Sequence, residues 1–389
     1  MKGKPQGQYA PGIERIINGA ILAGFVIALT SRCLDPYNAP ASQHDIRNLV
    51  VDGFLNGSNG TCSIQLSRTV SLEKQLAPPA ETGATVWLED EQGAAYGLHE
   101  PTSGIYTASN LPFTSGSKVK LRISTKEKVE YQSNELLVLK TPPIDSITWG
   151  MERTGVPIYV STHHNQDESR YYYWKYTETW SYTAGYRTSV KLDKNLNIVP
   201  LTESIFQCWN TKASSEVVIA SSSTLEDNTG IISRFPVVIV PWESTKLQFR
   251  YSVQVEQHAI TKETYDYLEL LKRNTENLGT LFDPLPSHPI GNIRCLTRPE
   301  EIVQGNFTAS TVQQRRIYIN NSELDRPEGV ISVTGYEGCA LFEIRMRSDW
   351  EHLVPVSVGL NEPVQGTPSF CVDCRLNGGS NIQPDFWVW

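Results

Sequence analysis

The chain has 389 residues, with 34 Lys and Arg against 42 Asp and Glu, and a net charge of -8. That acidity argues against nucleic acid and against electrostatic adhesion to anionic lipid, since both need basic patches. The length allows two domains of ordinary size with real hydrophobic cores.

Residues 1–32 have the order of an export signal. Lys2, Lys4 and Arg15 precede an uncharged run from Ile16 to Leu29, too short to cross a bilayer comfortably, and Cys33 follows closely. A cysteine at that place suggests a bacterial lipoprotein signal, with Cys33 acylated as the new N-terminus. Thr30, Ser31 and Arg32 depart from the usual lipobox, Arg32 most of all. An ordinary secreted or signal-anchored protein and a buried helix are the competing readings. Cleavage before Cys33 leaves 357 residues. It removes Lys2, Lys4, Arg15 and Arg32 against Glu14, so the net charge moves from -8 to -11. Residues 33–47, with Pro36 and Pro40, read as an extended tether.

From 48 to 140 short runs rich in β-branched residues are separated by Gly, Asn and Pro. They include Leu49 to Leu55, Thr61 to Thr69, Ala84 to Leu88, Gly104 to Thr107, Lys118 to Ile123 and Glu135 to Leu139. That spacing predicts an antiparallel β-sandwich. Pro142 and Pro143 break the pattern and place a linker at 141–147.

Residues 148–389 read as a larger β-rich domain, a sandwich or barrel-like body. Strands are predicted at Ile158 to Val160, Tyr171 to Tyr182, Glu216 to Ala220, Arg234 to Val240, Leu247 to Gln257, Gly305 to Ala309 and Arg315 to Asn320. One helix near 262–278 carries Leu268, Leu271 and Leu278 on one side, stops at Gly279, and is expected to lie on the sheet as a lid or brace. Phe386, Trp387 and Trp389 predict a buried C-terminal segment that closes this domain.

In the strand from Tyr171, alternation puts Tyr172, Trp174, Tyr176, Trp180 and Tyr182 on one face, with Glu178 as its only charge. Tyr171, Tyr173, Lys175, Thr177 and Thr179 take the other. Exposed aromatics make good anchors, so Tyr172, Trp174, Tyr176 and Trp180 are candidate ligand-facing residues; packing against a facing sheet is the alternative. His163, His164, Asp167 and Glu168 invite a metal reading, which the opposite facing of adjacent strand residues disfavours.

Six cysteines remain after Cys33: Cys62, Cys208, Cys295, Cys339, Cys371 and Cys374. An even number in an oxidising compartment is consistent with disulfides, of which about fifteen complete pairings exist. Cys371 and Cys374 could form half a zinc site, but the sequence has neither a second CxxC nor a His pair at the three-to-five-residue spacing that would complete one. The sequence also lacks a GxSxG elbow, an HExxH pair and a phosphate-binding glycine loop, so it gives no catalytic residue, metal or cofactor. A glycosidase, whose two carboxylates come from distant parts of a chain, is the enzymatic alternative.

Several segments taken in order resemble a known family. They include Cys33-Leu-Asp-Pro-Tyr37, Leu49-Val-Val-Asp-Gly53, Leu66-Ser-Arg-Thr69, Pro142-Pro-Ile-Asp-Ser146, Glu178-Thr-Trp180 and Cys208-Trp209. Further along are Gly291-Asn-Ile293, Cys371-Val-Asp-Cys-Arg375 and Pro384-Asp-Phe-Trp387. The chain is similar to the domain-of-unknown-function 4249 lipoproteins of Bacteroidota. That likeness implies an exported, lipid-anchored outer-membrane protein of a kind encoded near TonB-dependent receptors, with Cys33 acylated and no catalytic residues. The first domain also resembles Ig-like or transthyretin-like modules. The expectation is a non-catalytic binding or accessory subunit of a TonB-dependent uptake system, held to the membrane by its acyl chains. An adhesin or envelope-structural protein is the alternative, and a carbohydrate-active enzyme a third.

Overall fold

A computed structural model describes residues 3, 47–70, 77–164, 169–222, 230–276, 289–331, 333–357 and 363–389. Cys33 and the apolar run before it lie outside these residues, as do Asp167, Glu168, Leu278 and Gly279.

The fold is mostly β with one α-helix among the described residues. Its first sheet begins with β1 (Leu49–Asn56), β2 (Thr61–Arg68), β3 (Thr85–Asp90) and β4 (Ala95–Thr102). It continues with β5 (Ile105–Ala108), β6 (Lys118–Ser124), β7 (Glu130–Ser133) and the short β8 (Leu136–Leu137). Alternation in β1, β2 and β6 buries every second residue, as the period of a pleated strand requires. Leu49, Val51, Leu55, Ile64, Leu66, Leu88 and Leu121 form a fully buried core.

A second core lies between two further sheets. One contains β9 (Ile144–Trp149), β10 (Gly155–His163) and, beyond β11 to β15, β16 (Ile231–Pro241). The other is built on β11 (Tyr171–Thr183), which pairs with β14 (Gln207–Ala213), β15 (Val218–Ser221) and β17 (Arg250–Ile260). A hairpin of β12 (Val190–Leu192) and β13 (Ile198–Pro200) stands beside them. Helix α1 (Lys262–Glu276) follows β17 directly, with the Thr264 N–H donating to Thr261 Oγ1 at 3.2 Å at its start.

After the helix the chain returns to the first sheet. β18 (Ile293–Cys295) pairs with β7, and β19 (Gln304–Ser310) lies parallel beside β1. β20 (Val312–Asn320) then joins β17 in the second core's sheet. A small sheet of β21 (Phe342–Glu343), β22 (Val354–Ser357) and β23 (Gln365–Thr367) precedes the C-terminal segment.

Within the proline segment predicted as a linker, Thr141, Pro142, Ile144 and Ile147 are buried, while Pro143 and Asp145 are exposed. Thr141 donates its hydroxyl to the Thr311 carbonyl and accepts from the Ala259 N–H at 2.9 Å, and Gln257 Nε2 donates to the Pro142 carbonyl at 2.8 Å. Ile144 already opens β9.

The terminal aromatics divide. Trp387 is buried between Trp209 and Tyr318, whereas Trp389 is 63% exposed. The expectation of full burial therefore holds for one ring. Phe386 keeps partial cover from the Arg316 guanidinium 3.7 Å from its centre, a cation–π contact.

Candidate ligand-binding cleft

The alternation that fills the first core also makes a second surface. Leu49, Val51 and Leu55 of β1 point into the first core, so Val50, Asp52 and Phe54 point away from it. Parallel β19 extends that surface, with Gln304 opposite Val50, Asn306 opposite Asp52 and Thr308 opposite Phe54. A strand can lie this close because position 305 is glycine. Its φ is +101°, and a Cβ there would sit 1.8 Å from the Val51 carbonyl oxygen.

Facing this surface is the outer side of β11 and β17, where Tyr173 stands opposite His258 and Lys175 opposite Glu256. Helix α1 adds Thr264, Tyr267, Leu268 and Leu271, whose spacing places them on one helical face. Asn306 Nδ2 donates to Thr264 Oγ1 at 3.1 Å and ties the helix to β19. Together these elements line a cleft of about 370 Å³, within the range of small-molecule sites.

Its walls are largely apolar and aromatic. The His258 ring lies 4.8 Å edge-on from Phe54 and 5.9 Å from Tyr173. Burial pushes the His258 pKa down to about 3, with the Lys175 charge acting in the same direction, so the imidazole is neutral. Its Nε2 has no hydrogen-bond partner, and the nearest carboxylate, Glu256, stands 3.9 Å away, beyond hydrogen-bonding reach. Asn306 Oδ1 and Ser310 Oγ are likewise buried without partners beside the cleft. Burial raises the Tyr173 hydroxyl to about 12, with Asp52 adding to the effect. The Tyr267 hydroxyl is raised by the same two causes, burial first, against an opposing hydrogen bond from the Gly305 amide. Both phenols therefore remain protonated donors. Asp52 and Lys175 are the exposed charges of the lining. Lys175 Nζ sits 5.6 Å from the Tyr173 ring centre.

The face singled out from sequence lies on the other side of β11. Tyr172, Trp174, Tyr176 and Trp180 are buried in the second core, with Trp174 stacked on Phe235 at 5.1 Å and its indole N–H donating to Gln257 Oε1 at 2.9 Å. Their ligand-facing reading is corrected to core packing. Trp180 alone of the four also borders a smaller hollow, with Tyr182 and Tyr336. Glu178, the charge on that face, accepts two hydrogen bonds from Lys246 Nζ and one from Tyr251 Oη.

The cysteines form two disulfides, Cys208 to Cys374 and Cys339 to Cys371. Cys371 and Cys374 thus point to different partners. Cys62 and Cys295 are buried free thiols rather than bridge members, and burial raises the Cys62 pKa to about 12. His163 pairs through Nδ1 with Asp145 at 2.8 Å.

Sequence reasoning separated Tyr173 and Lys175 from the ladder and put Leu268 and Leu271 on one helix face, which are two walls of the cleft. It missed His258, Asp52, Phe54 and Asn306. The third wall depends on a parallel strand pair whose members lie far apart in the chain, and no local pattern signals that.

The model of a family described as a domain of unknown function (DUF4249) matches residues 35–316. The match starts just after Cys33, contains every residue lining the cleft, and ends before Cys371-Val-Asp-Cys-Arg375 and Pro384-Asp-Phe-Trp387. No curated protein matches the chain.

Proposed function

The chain belongs to the DUF4249 family, and from that premise we propose that it is a lipid-anchored outer-membrane protein that captures a small ligand and serves a TonB-dependent receptor as a non-catalytic accessory subunit. The observation that carries the capture role is the cleft of about 370 Å³ between β1, β19, β11, β17 and α1. It is concave, largely apolar and supplied with a few polar groups, the usual character of a small-molecule site. Two disulfides fit an oxidising compartment. Lipid on Cys33 would confine the protein to the membrane plane and raise its effective concentration beside a receptor.

Affinity purification of the tagged protein from outer membranes tests the partnership: a TonB-dependent barrel is expected to be enriched, and a preparation without one overturns it. Metabolic labelling with a fatty-acid analogue tests the anchor. Label is expected in the wild type and absent from Cys33→Ser; equal labelling of the two rules out acylation there.

A second reading, as an adhesin or envelope-structural protein, is favoured by one feature. Ile382, Val388 and Trp389 expose apolar surface near the end of the chain, 76%, 55% and 63% respectively, and exposed apolar patches mark contact surfaces. Deletion would then change surface attachment and leave nutrient uptake unaltered.

A further inference from the structure

Resting on the reading of the cleft as a capture site, we propose that its ligand is a zwitterion with an apolar body, an apolar amino acid or a dipeptide of apolar residues. Its ammonium would meet Asp52, its carboxylate would meet Lys175, and its side chains would lie between Phe54, Tyr173, Leu268 and Leu271.

The lining carries one formal anion and one formal cation at solvent-exposed positions, Asp52 and Lys175. Neither belongs to an ion pair among the described residues. Lys175 rests near the Tyr173 ring, and its cross-strand neighbour Glu256 is engaged by Gln314 Nε2 at 3.0 Å. Asp52 stands on the outward face of β1, opposite Asn306 of β19, in the same lining as Tyr173 and Tyr267. The same lining holds Phe54, Ile260, Tyr267, Leu268 and Leu271.

Three ligand classes fit this arrangement less well. A pure hydrocarbon would strip water from Asp52 and Lys175 without giving either a counter-charge. A polyanion such as a phosphate ester would meet the single cation together with a repelling carboxylate. A sugar would set many hydroxyls against leucine and isoleucine, leaving them unpaired. A zwitterion matches both charges, and its apolar side chains match the walls. The cleft also has room for more than one side chain, since about 370 Å³ lies near the lower end of the range for drug-sized ligands.

Isothermal titration of the purified chain tests this with two named probes. One is the zwitterionic dipeptide L-leucyl-L-phenylalanine; the other is the same dipeptide acetylated at its N-terminus and amidated at its C-terminus. The free dipeptide is expected to bind about tenfold more tightly, the combined worth of two partly exposed ion pairs. Asp52→Asn and Lys175→Met, both at solvent-exposed positions, are each expected to narrow the ratio between the two probes by about half of its logarithm. Leu271→Trp, which fills the cleft, is expected to abolish binding of both probes.

Equal affinity for free and capped dipeptide overturns the zwitterion assignment while leaving the cleft as a capture site for apolar molecules. Binding that survives Leu271→Trp overturns the location. Binding of neither probe overturns the ligand class, while the receptor partnership stands or falls on its own purification experiment.

Discussion

Lys246 Nζ lies 2.7 Å and 2.6 Å from the two carboxylate oxygens of Glu178, inside an aromatic core. Glu178 is only 4% exposed, and Tyr251 Oη donates a further bond to it at 2.9 Å. This is how the one charge on an otherwise aromatic strand face is accommodated: it arrives with a cation and a hydroxyl already facing it. Burial and the Glu178 charge hold the Tyr251 phenol well above its usual range, so it remains a donor.

Removing one partner of that pair should cost more than removing both. Lys246→Met leaves a buried carboxylate with a single hydroxyl donor and is expected to destabilise the fold by about 2–4 kcal/mol. Glu178→Gln with Lys246→Met should recover much of that loss, because no uncompensated charge remains. Urea unfolding of the two variants and the wild type reads the difference. A single mutant as stable as wild type would show that the pair contributes nothing.

His258 predicts an acid limb in stability. Its folded pKa lies near 3 and its ordinary value is 6.5, so between those values the unfolded chain binds a proton that the folded chain refuses. Stability is then complete above pH 6.5 and falls as pH drops toward 3, by at most about 1.4 kcal/mol per pH unit from this group. Lys175 adds to the depression, while the Glu256 carboxylate 3.9 Å from Nε2 acts against it. His258→Phe, which keeps the ring contact with Phe54, should flatten the thermal-melting profile between pH 6 and 4. An unchanged slope would mean that other groups set the acid limb.

The bridge from Cys208 to Cys374 spans 166 residues and fixes the end of the chain to β14. Cys374→Ser is expected to lower stability by about 2–5 kcal/mol and to loosen the packing of Trp387 against Trp209. Hydrogen exchange should show faster exchange after residue 370 with β1 to β7 unaltered. Protection of the tail equal to that of the wild type would mean that Tyr182, whose hydroxyl donates to the Cys374 carbonyl at 2.8 Å, and the tryptophans suffice without it.

Gly305→Ala tests the join between β1 and β19. A methyl group at φ +101° and 1.8 Å from the Val51 carbonyl oxygen cannot be placed without parting the strands. A loss of about 3 kcal/mol or more is expected, with weaker binding in the cleft that the two strands wall. Calorimetric melting reads it, and a variant that melts with the wild type would show that the strands part without cost.

Strands β1, β2, β3, β5 and β6, β11 with its two faces, and the helix at 262–276 were legible because each rests on a local period of two or 3.6 residues. β4 escaped notice because its exposures alternate only between open and partly open, and Pro101 within it reads as a break. The burial of Tyr172, Trp174, Tyr176 and Trp180 could not be separated from exposure on alternation alone, since that pattern defines two faces without saying which one is covered. The disulfide pairing and the cleft required knowing which distant segments meet. Asp52 shows the limit well: in sequence it is a polar residue in an alternating strand, and it becomes a candidate site residue only once α1 and β17 face it.

The parallel pairing of Val50 with Gln304 sets a schedule for synthesis. β1 is among the earliest described strands to leave the ribosome, yet one of its two neighbours is made only after α1 and most of the second core. Contacts so far apart in sequence form late and slowly, leaving the early strands without a finished edge while the chain grows. Until residues 304–310 have been made, β1 therefore keeps one edge whose backbone donors and acceptors have no strand to pair with.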